Sequence, residues 1–167
     1  MLAVLLGLAA AGFLLFRALW PNEEAVIRRT WQEVLEKGQK SSAQSLLGSA
    51  RRATELLAYF TTGAVIEVGA PYPMTLSRGQ LPGILHQVWS HAERLTLRDR
   101  GIDISVAPDR ASATLEVTLE LEAVVRGEAQ SGLDAYRIHW QKAEGDWRIH
   151  RVQRLETIQN PAGPSAQ

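Results

Sequence analysis

The chain has no cysteine, and its 18 lysine and arginine residues are balanced by 18 aspartates and glutamates. The absence of cysteine excludes disulfides, thiolate zinc sites, iron–sulfur clusters and a cysteine nucleophile. A net charge of zero argues against a nucleic-acid-binding protein, which would carry a basic excess. HExxH, a glycine-rich phosphate loop and a nucleophile elbow are also missing from the sequence. We therefore expect no cofactor, no metal and no nucleic-acid partner.

An apolar run at the N-terminus differs from everything that follows. Residues 1–16 carry no charged side chain, and Arg17, Trp20 and Pro21 come next. Twenty helical residues span about 30 Å, the thickness of a bilayer core, and Arg17 and Trp20 suit its headgroup region. The sequence predicts a transmembrane anchor over 1–20, one domain over 21–157 and a flexible tail over 158–167.

Two alternatives concern this anchor. A cleaved signal peptide would need a basic start, and the small residues Ala9–Ala11 lie inside the apolar run. We therefore expect an uncleaved, single-pass anchor. Arg17, Arg28 and Arg29 follow the span, which would place the domain in the cytoplasm by the positive-inside rule. Single N-terminal anchors in bacteria commonly export their domain, so the extracytoplasmic, periplasmic side is the expectation that we adopt.

Three helices are predicted ahead of the main strands. Asn22 is a suitable N-cap for the first helix, which Gly38 ends. The second runs from Leu46 to Phe60, before a break at 61–63. Ser77 and Gln80 form a capping box for the third. Its predicted buried stripe consists of Leu81, Ile84, Leu85, Val88 and Trp89.

From Leu95 onward the hydrophobic period becomes two, which indicates strands. One or two strands cover 95–106 with a bulge at Gly101, and a long half-buried strand covers 113–125. Glu144 and Gly145 connect a hairpin of 135–142 and 147–156, and a short strand covers 64–68. This order predicts an α+β fold, in which N-terminal helices pack on a curved antiparallel sheet around a cone-shaped space.

Two segments carry a resemblance to a known superfamily. Residues 59–85 (YFTTGAVIEVGAPYPMTLSRGQLPGIL) and the hairpin 140–153 (WQKAEGDWRIHRVQ) resemble the nuclear transport factor 2-like superfamily. This group has a cystatin-like, cone-shaped fold and includes SnoaL-like polyketide cyclases and ketosteroid isomerases. In those isomerases a general-base aspartate ends the first strand, and the matching residue here is Val68. Glu67 is one residue away and would point to the opposite face. The resemblance therefore implies the fold without the isomerase activity.

The closing hairpin supplies most of the predicted ligand pocket. A two- or four-residue loop at Glu144–Gly145 sets His139 opposite His150. In that register Arg151 and Gln153 share the apolar face with Tyr136, Trp140 and their neighbours, as polar groups do in small-molecule pockets. The candidate pocket residues are Glu67, Tyr72, Trp89, Tyr136, Trp140, Arg151 and Gln153.

The opposite face of the hairpin is predicted to be charged. The two imidazoles of His139 and His150 are too few to bind a metal. Glu116 faces the same way on its strand as Arg137 does on the hairpin, so cross-strand ion pairs are expected if the strands are neighbours. Members of the resembled superfamily often dimerise through the sheet, which makes a homodimer the expected assembly.

Three functions fit these features. The first is a membrane-anchored, non-catalytic domain that binds a partner protein or a small apolar ligand. The second is a scaffold in an envelope or secretion assembly, since type IV secretion systems contain a component with a similar plan. The third is a SnoaL-like enzyme with an unrecognised acid–base pair, for which Glu67, His86, Tyr136 and Arg151 are the candidates.

Overall fold

A computed structural model describes residues 22–41, 46–69 and 74–155. The predicted anchor, the tail over 158–167 and the candidate Tyr72 lie outside these ranges. Within the described ranges, no helix is long and apolar enough to cross a membrane. The elements are α1 (Glu23–Gly38), α2 (Leu46–Leu57), β1 (Phe60–Val68), β2 (Met74–Ser77), α3 (Leu81–His91), β3 (Arg94–Val106), β4 (Ser112–Val125), β5 (Glu128–Ala143) and β6 (Asp146–Leu155).

Helix α1 begins and ends where the sequence predicts. The Asn22 side chain accepts a hydrogen bond from the Ala25 amide at 3.4 Å, and acidic residues occupy the first turn, where the helix dipole favours them. Its apolar face buries Ile27, Trp31 and Leu35 against the sheet. Burial of this face, rather than helix propensity, is what holds α1 in place.

The second helix is shorter than predicted. It ends at Leu57, and Phe60 already belongs to β1, where its Cα partner is Ile149. The predicted break at 61–63 is wrong, because these residues continue the strand. The Ile149 amide donates to the carbonyl of Tyr59 at 2.7 Å. Pairing with β6 therefore overrides the helical spacing that extends to Phe60 in the sequence.

A short strand, β2, and a 3-10 turn precede α3. The Ser77 amide donates to Gln80 Oε1 at 2.8 Å, so the predicted capping interaction exists, although it opens the turn Arg78–Gln80 rather than the α-helix itself. On α3, Trp89 is 1% exposed, as predicted. Val88 is 41% exposed, so its predicted place in a buried stripe is wrong.

The sheet has six strands in the order β2-β1-β6-β5-β4-β3. β1 pairs with β6 in parallel, and every other neighbouring pair is antiparallel. β3 is one strand whose register shifts between Asp99 and Ile102, which confirms a bulge at Gly101. The α+β prediction is confirmed, since the described residues form three α-helices that pack on one sheet. We call the face that α1 covers the helix-side face and the other the outer face.

A second tight hairpin joins β4 to β5 and was not predicted. Arg126 and Gly127 have φ values of 53° and 80°, a left-handed pair that fits a two-residue turn. β5 therefore starts at Glu128 rather than at Ala135. Residues 128–134 are mostly polar and exposed, so the period-two signal is absent there. Their pairing with β4 defines the strand instead.

One extra residue in β6 overturns the predicted register of the last hairpin. Trp140 pairs with Ile149, whereas His139 pairs with Arg151, so His150 is bulged out between them. The predicted His139–His150 pairing is wrong. The His150 ring instead lies 3.2 Å from Thr61 Oγ1 (Nδ1 to Oγ1). Beyond the bulge, every side chain of β6 lies on the face opposite to the one predicted.

Two buried clusters form the core. The larger lies between α1 and the sheet and contains Trp31, Leu115, Ile138, Trp140 and Ile149, each at most 4% exposed. The smaller joins α2 and α3 to the beginning of β3. Full burial of one such side chain contributes roughly 1.5–3 kcal/mol. The larger cluster therefore fills the helix-side face near the β5–β6 turn, and the smaller one packs against Ala123 and Val125 farther along β4.

Candidate functional site

The candidate site lies where this packing thins out along β4 and β5. On the helix-side face, Val117 opposite Tyr136 and Leu119 opposite Asp134 follow the buried pair Leu115 and Ile138. Pairs of two buried apolar residues thus give way to pairs in which one member, Tyr136 or Asp134, is polar and half-buried. We call this region the open end of the helix-side face.

The open end contains one ion pair. Arg154 of β6 is the Cα partner of Tyr136, so both lie on the helix-side face. Its Nε and Nη2 donate to Asp134 Oδ1 at 3.1 and 2.5 Å. The Arg154 and Asp134 side chains retain 27% and 33% of their exposure, so solvent screens the pair only in part.

Tyr136 is the neutral polar group of the open end. Burial raises the pKa of its phenol, and the neighbouring Asp134 carboxylate raises that pKa further. The hydroxyl is therefore protonated at neutral pH and available as a donor. It makes no hydrogen bond to any residue within the described ranges.

The end of β1 closes one side of this region. A Cβ built on Gly69 would make ordinary van der Waals contacts with Arg154, 3.4 Å from its Cδ and 3.5 Å from its Cβ, so the end of β1 lies against the Arg154 side chain. The preceding Val68 lies on the helix-side face, because Ile66 of the same strand pairs with Val152. The position at which the resembled isomerases carry a base is therefore next to Arg154 and is occupied by a valine.

Exposed apolar side chains lie near the polar residues Tyr136, Asp134 and Arg154. Leu121 and Met74 are 40% and 48% exposed, and Met74 is the partner of Val68. Gly132 faces Leu121, and a Cβ built on Gly132 meets no atom within 4 Å. An apolar lining with a few polar groups is the usual composition of a small-molecule site.

Three predicted pocket residues meet on the other side of the sheet. Gln153 Nε2 donates to Glu67 Oε2 at 2.8 Å, and Arg151 Nε donates to Glu67 Oε1 at 3.0 Å. These two hydrogen bonds hold the pKa of the Glu67 carboxyl below its ordinary value of 4.5. Gln153 also contacts His139, with 3.0 Å between Oε1 and Nε2. The group lies on the outer face, so the predicted placement of Arg151 and Gln153 on the apolar face is wrong.

The remaining predicted pocket residues have different surroundings. Of the predicted pocket residues that the structure describes, Tyr136 alone lies at the open end. Trp140 is part of the larger core cluster, and Trp89 is part of the smaller one, where its Nε1 donates to the Gly38 carbonyl at 3.0 Å. Sequence reasoning missed Asp134 and Arg154. Strict alternation along the hairpin predicts the polar face for Arg154, and no sequence signal marks the bulge at His150 that reverses this placement.

A separate groove of about 500 Å³ lies between α1 and the β5–β6 hairpin. Glu23 accepts hydrogen bonds from Lys142 Nζ at 2.7 Å and from Trp147 Nε1 at 2.6 Å, and these lower the pKa of its carboxyl. Tyr59 donates to Glu33 at 3.0 Å, and burial together with this carboxylate raises the pKa of Tyr59 to about 12. These contacts hold α1 against the β5–β6 hairpin and against Tyr59, just before β1.

The outer face carries cross-strand ion pairs. Arg137 pairs with Glu116 at 2.8 Å, as predicted from their neighbouring strands. Glu120 pairs with Arg100 of β3 at 2.6 Å rather than with an arginine of the β5–β6 hairpin. No group of three or more histidine, aspartate or glutamate side chains within the described ranges is arranged to bind a metal ion.

Solved structures with the same fold are numerous. A protein from Novosphingobium aromaticivorans assigned as an aromatic ring hydroxylase has a TM-score of 0.65 at 12% identity, with 81% of this chain and 90% of that one covered. A nuclear transport factor 2-like protein with a cystatin-like fold from the same organism has a TM-score of 0.62 at 15% identity, with 93% and 90% covered.

A third similar structure belongs to a different functional class. A protein from Xanthomonas campestris assigned as a calcium/calmodulin-dependent protein kinase II association domain has a TM-score of 0.60 at 14% identity, with 82% and 87% covered. No protein-family model and no curated protein matches the sequence. Identities this low establish architecture alone. The chain has the cystatin-like fold of the nuclear transport factor 2-like proteins.

Proposed function

We propose that this chain is a non-catalytic binding domain whose ligand is a small, largely apolar molecule held at the open end of the helix-side face. The observation that carries the proposal is the Tyr136 hydroxyl, which has no hydrogen-bond partner within the described ranges and lies near the Asp134–Arg154 ion pair, with the exposed Leu121 nearby. The apolar surface supplies the affinity, and the polar group orients the ligand.

None of the described residues at the open end is a suitable base, which supports binding rather than catalysis. Proton abstraction needs a base within hydrogen-bond reach of the substrate. Asp134, the carboxylate of the open end, accepts two hydrogen bonds from Arg154, and Val68 occupies the position of the isomerase base. The Glu67 carboxylate lies on the outer face, bound to Arg151 and Gln153.

Membrane attachment and assembly are the other parts of the proposal. The uncharged run of residues 1–16 with the following Arg17 and Trp20 supports a single-pass anchor over 1–20. The domain would then act next to a membrane, on the extracytoplasmic side in our proposal. Docking of a partner protein, a homodimer through the sheet and a scaffold role in an envelope assembly would use the charged outer face instead. The open end favours the small-ligand function over these.

A substitution that fills the open end tests the proposal. Full-length chain purified gently from its own host in lipid nanodiscs would be analysed by mass spectrometry for retained small molecules. Gly132→Trp places a large side chain in open space without a backbone conflict, so the fold should persist and the retained molecule should be lost. Gly63→Trp is the matched control, because a Cβ on Gly63 also meets nothing within 4 Å. Equal retention by both variants, or no retained molecule in wild type, would refute the proposal.

A further inference from the structure

The groove between α1 and the β5–β6 hairpin contains the backbone groups of a strand edge. The Lys142 amide donates to the Ala111 carbonyl at 2.8 Å, on the side away from β6. Lys142 and Trp147 are Cα partners, so they form a non-hydrogen-bonded pair, and the amide and carbonyl of Trp147 point away from β5. Trp147 lines the groove, and these two groups therefore face it.

The two backbone groups of Trp147 are almost completely covered. Trp147 is 4% exposed, and covered backbone groups in proteins nearly always have a hydrogen-bond partner. Farther along the same edge, the Ile149 amide donates to the Tyr59 carbonyl at 2.7 Å. The pairing of β6 with β1 begins at Ile149, so within the described ranges no strand lies beside Trp147 on that side. The edge can therefore pair with a short extended segment that lies in line with β1.

The groove has the length of a short peptide. Its lining on α1 runs from Glu23 to Glu33, which is about 15 Å along the helix axis and matches about four or five extended residues. A segment in line with β1 meets Ala58 and Tyr59, which line the groove directly before β1 begins. Its chain cannot continue past them, so the groove suits a chain terminus better than an internal segment.

The charges of the groove distinguish between the two kinds of terminus. Arg29 lines the groove one helical turn from Glu33 and makes no ion pair or hydrogen bond to any residue within the described ranges. The Glu33 carboxylate already accepts a hydrogen bond from the Tyr59 hydroxyl. Asp146 lines the groove at the turn of the hairpin, and it too has no ion-pair partner among the described residues. A carboxylate is therefore attracted toward Arg29 and repelled from Asp146.

We propose that this groove binds the C-terminus of an extended peptide. The peptide runs parallel to β6, as β1 does, with its terminal carboxylate at Arg29 and its backbone paired with Trp147. Arg148 adds positive charge to the lining, because its partner Glu144 is 79% exposed and solvent weakens that ion pair. The groove is separate from the open end, so the proposal does not rest on the proposed function.

A matched pair of peptides tests recognition of the carboxylate. The probes are an N-terminally fluorescein-labelled tetra-alanine peptide with a free C-terminal carboxylate and the same peptide as its C-terminal amide. We expect the full-length chain in lipid nanodiscs to bind the acid at least about tenfold more tightly in fluorescence anisotropy, because the amide lacks the charged hydrogen bond. Arg29→Gln should remove this preference. Arg28→Gln is the control and should retain it, because Arg28 is equally exposed on α1 but does not line the groove.

Other outcomes of this titration would overturn the proposal. Equal affinity for the acid and the amide, or no binding of either, would exclude carboxylate recognition. Loss of the preference in both variants would show a general attraction to the positive side chains of α1. Equally tight binding of an amidated peptide that ends in aspartate would show that a side-chain carboxylate is enough and that no chain terminus is recognised.

Hydrogen exchange tests the backbone pairing without any substitution. The Trp147 amide should exchange at least about tenfold more slowly when the acid peptide is bound than when it is absent. Amides of 128–133 lie on another part of the sheet and should exchange at the same rate in both states. Unchanged exchange at Trp147 would overturn the pairing. Gly132→Trp, which fills the open end, should bind the peptide as wild type does, so failure here is distinguishable from failure of the proposed function.

Discussion

Arg154 and Asp134 form an ion pair on the helix-side face although alternation along β6 predicts that Arg154 belongs to the outer face. The Arg154 Nε lies 3.1 Å from Asp134 Oδ1, and its Cα partner is Tyr136. The bulge at His150 brings about this placement. Arg154 therefore reaches the open end, and Arg151 joins Glu67 on the other side.

The free energy of this ion pair can be measured with a double-mutant cycle. We expect Asp134→Ala and Arg154→Ala to show a coupling of about 0.5–1 kcal/mol in urea unfolding, because both side chains are about two-thirds covered. The pair Glu144 and Arg148 is the control, with the carboxylate side chain 79% exposed. Its coupling should stay below about 0.5 kcal/mol, and a larger value there than at the open end would contradict our assignment.

Core packing predicts a strong contrast between two β5 positions. Ile138→Ala should lower the free energy of unfolding by about 2–5 kcal/mol, since Ile138 is 1% exposed inside the larger cluster. Leu133→Ala removes a similar side chain that is 59% exposed, and its effect should be within about 0.5 kcal/mol. Chemical denaturation monitored by tryptophan fluorescence measures both. Comparable losses would mean that Leu133 is covered in solution.

The Glu67 group gives the protein an acid-sensitive contribution to its stability. Hydrogen bonds from Gln153 and Arg151 lower the pKa of Glu67 in the folded state below its ordinary value of 4.5. The stabilisation is therefore fully present above that ordinary value and disappears as the pH falls through the folded-state pKa. We expect Glu67→Gln to destabilise the protein at pH 7 and to differ little from wild type near pH 2.

Unfolding midpoints measured in urea between pH 2 and pH 7 would show this convergence. Glu128→Gln is the control, because Glu128 is exposed, lies outside the helices and makes no ion pair within the described ranges. The unfolding midpoint of this control variant should depend on pH in the same way as that of wild type. If the unfolding midpoints of Glu67→Gln and wild type differ by the same amount at every pH, the difference is explained by the shape of the side chain rather than by its charge.

Tyrosine ionisation offers an optical test of the α1 contacts. Burial and the Glu33 carboxylate raise the pKa of Tyr59 to about 12. The difference in absorbance at alkaline pH between wild type and Tyr59→Phe should therefore develop near pH 12 rather than near the ordinary value of 10.0. Glu33→Gln removes the charge, so the transition should then shift downward. A transition near the ordinary value in wild type would show that Tyr59 is not held against α1.

Several elements could be predicted because their signals are local. Asn22 marks a helix start through its own side chain, and Glu144 with Gly145 marks a hairpin through left-handed backbone angles. The alternation along β4 assigns Leu115 to the core without knowledge of its neighbours. The order of these signals was enough to predict the fold class and its resemblance to a known superfamily.

The candidate site could be predicted only in part, because its residues come from several strands that are distant in sequence. Alternation along the hairpin places Tyr136 on the apolar face, which makes it a predicted pocket residue. Asp134 lies in a polar stretch that becomes a strand only by pairing with β4, and Arg154 changes face at the bulge. Neither the pairing of Asp134 with β4 nor the change of face of Arg154 can be predicted from these residues themselves, since both depend on the neighbouring strand.

The sequence by itself determined the helix caps, the tight turns, the alternating strands and the α+β plan, because each of these follows from side-chain chemistry within a few residues. Tertiary structure decided which face each residue of β6 occupies, since one inserted residue at His150 reverses every later side chain. It also decided that Arg154, rather than Arg151, meets Tyr136 and Asp134 at the open end. That choice depends on pairing between distant segments, which local sequence does not encode.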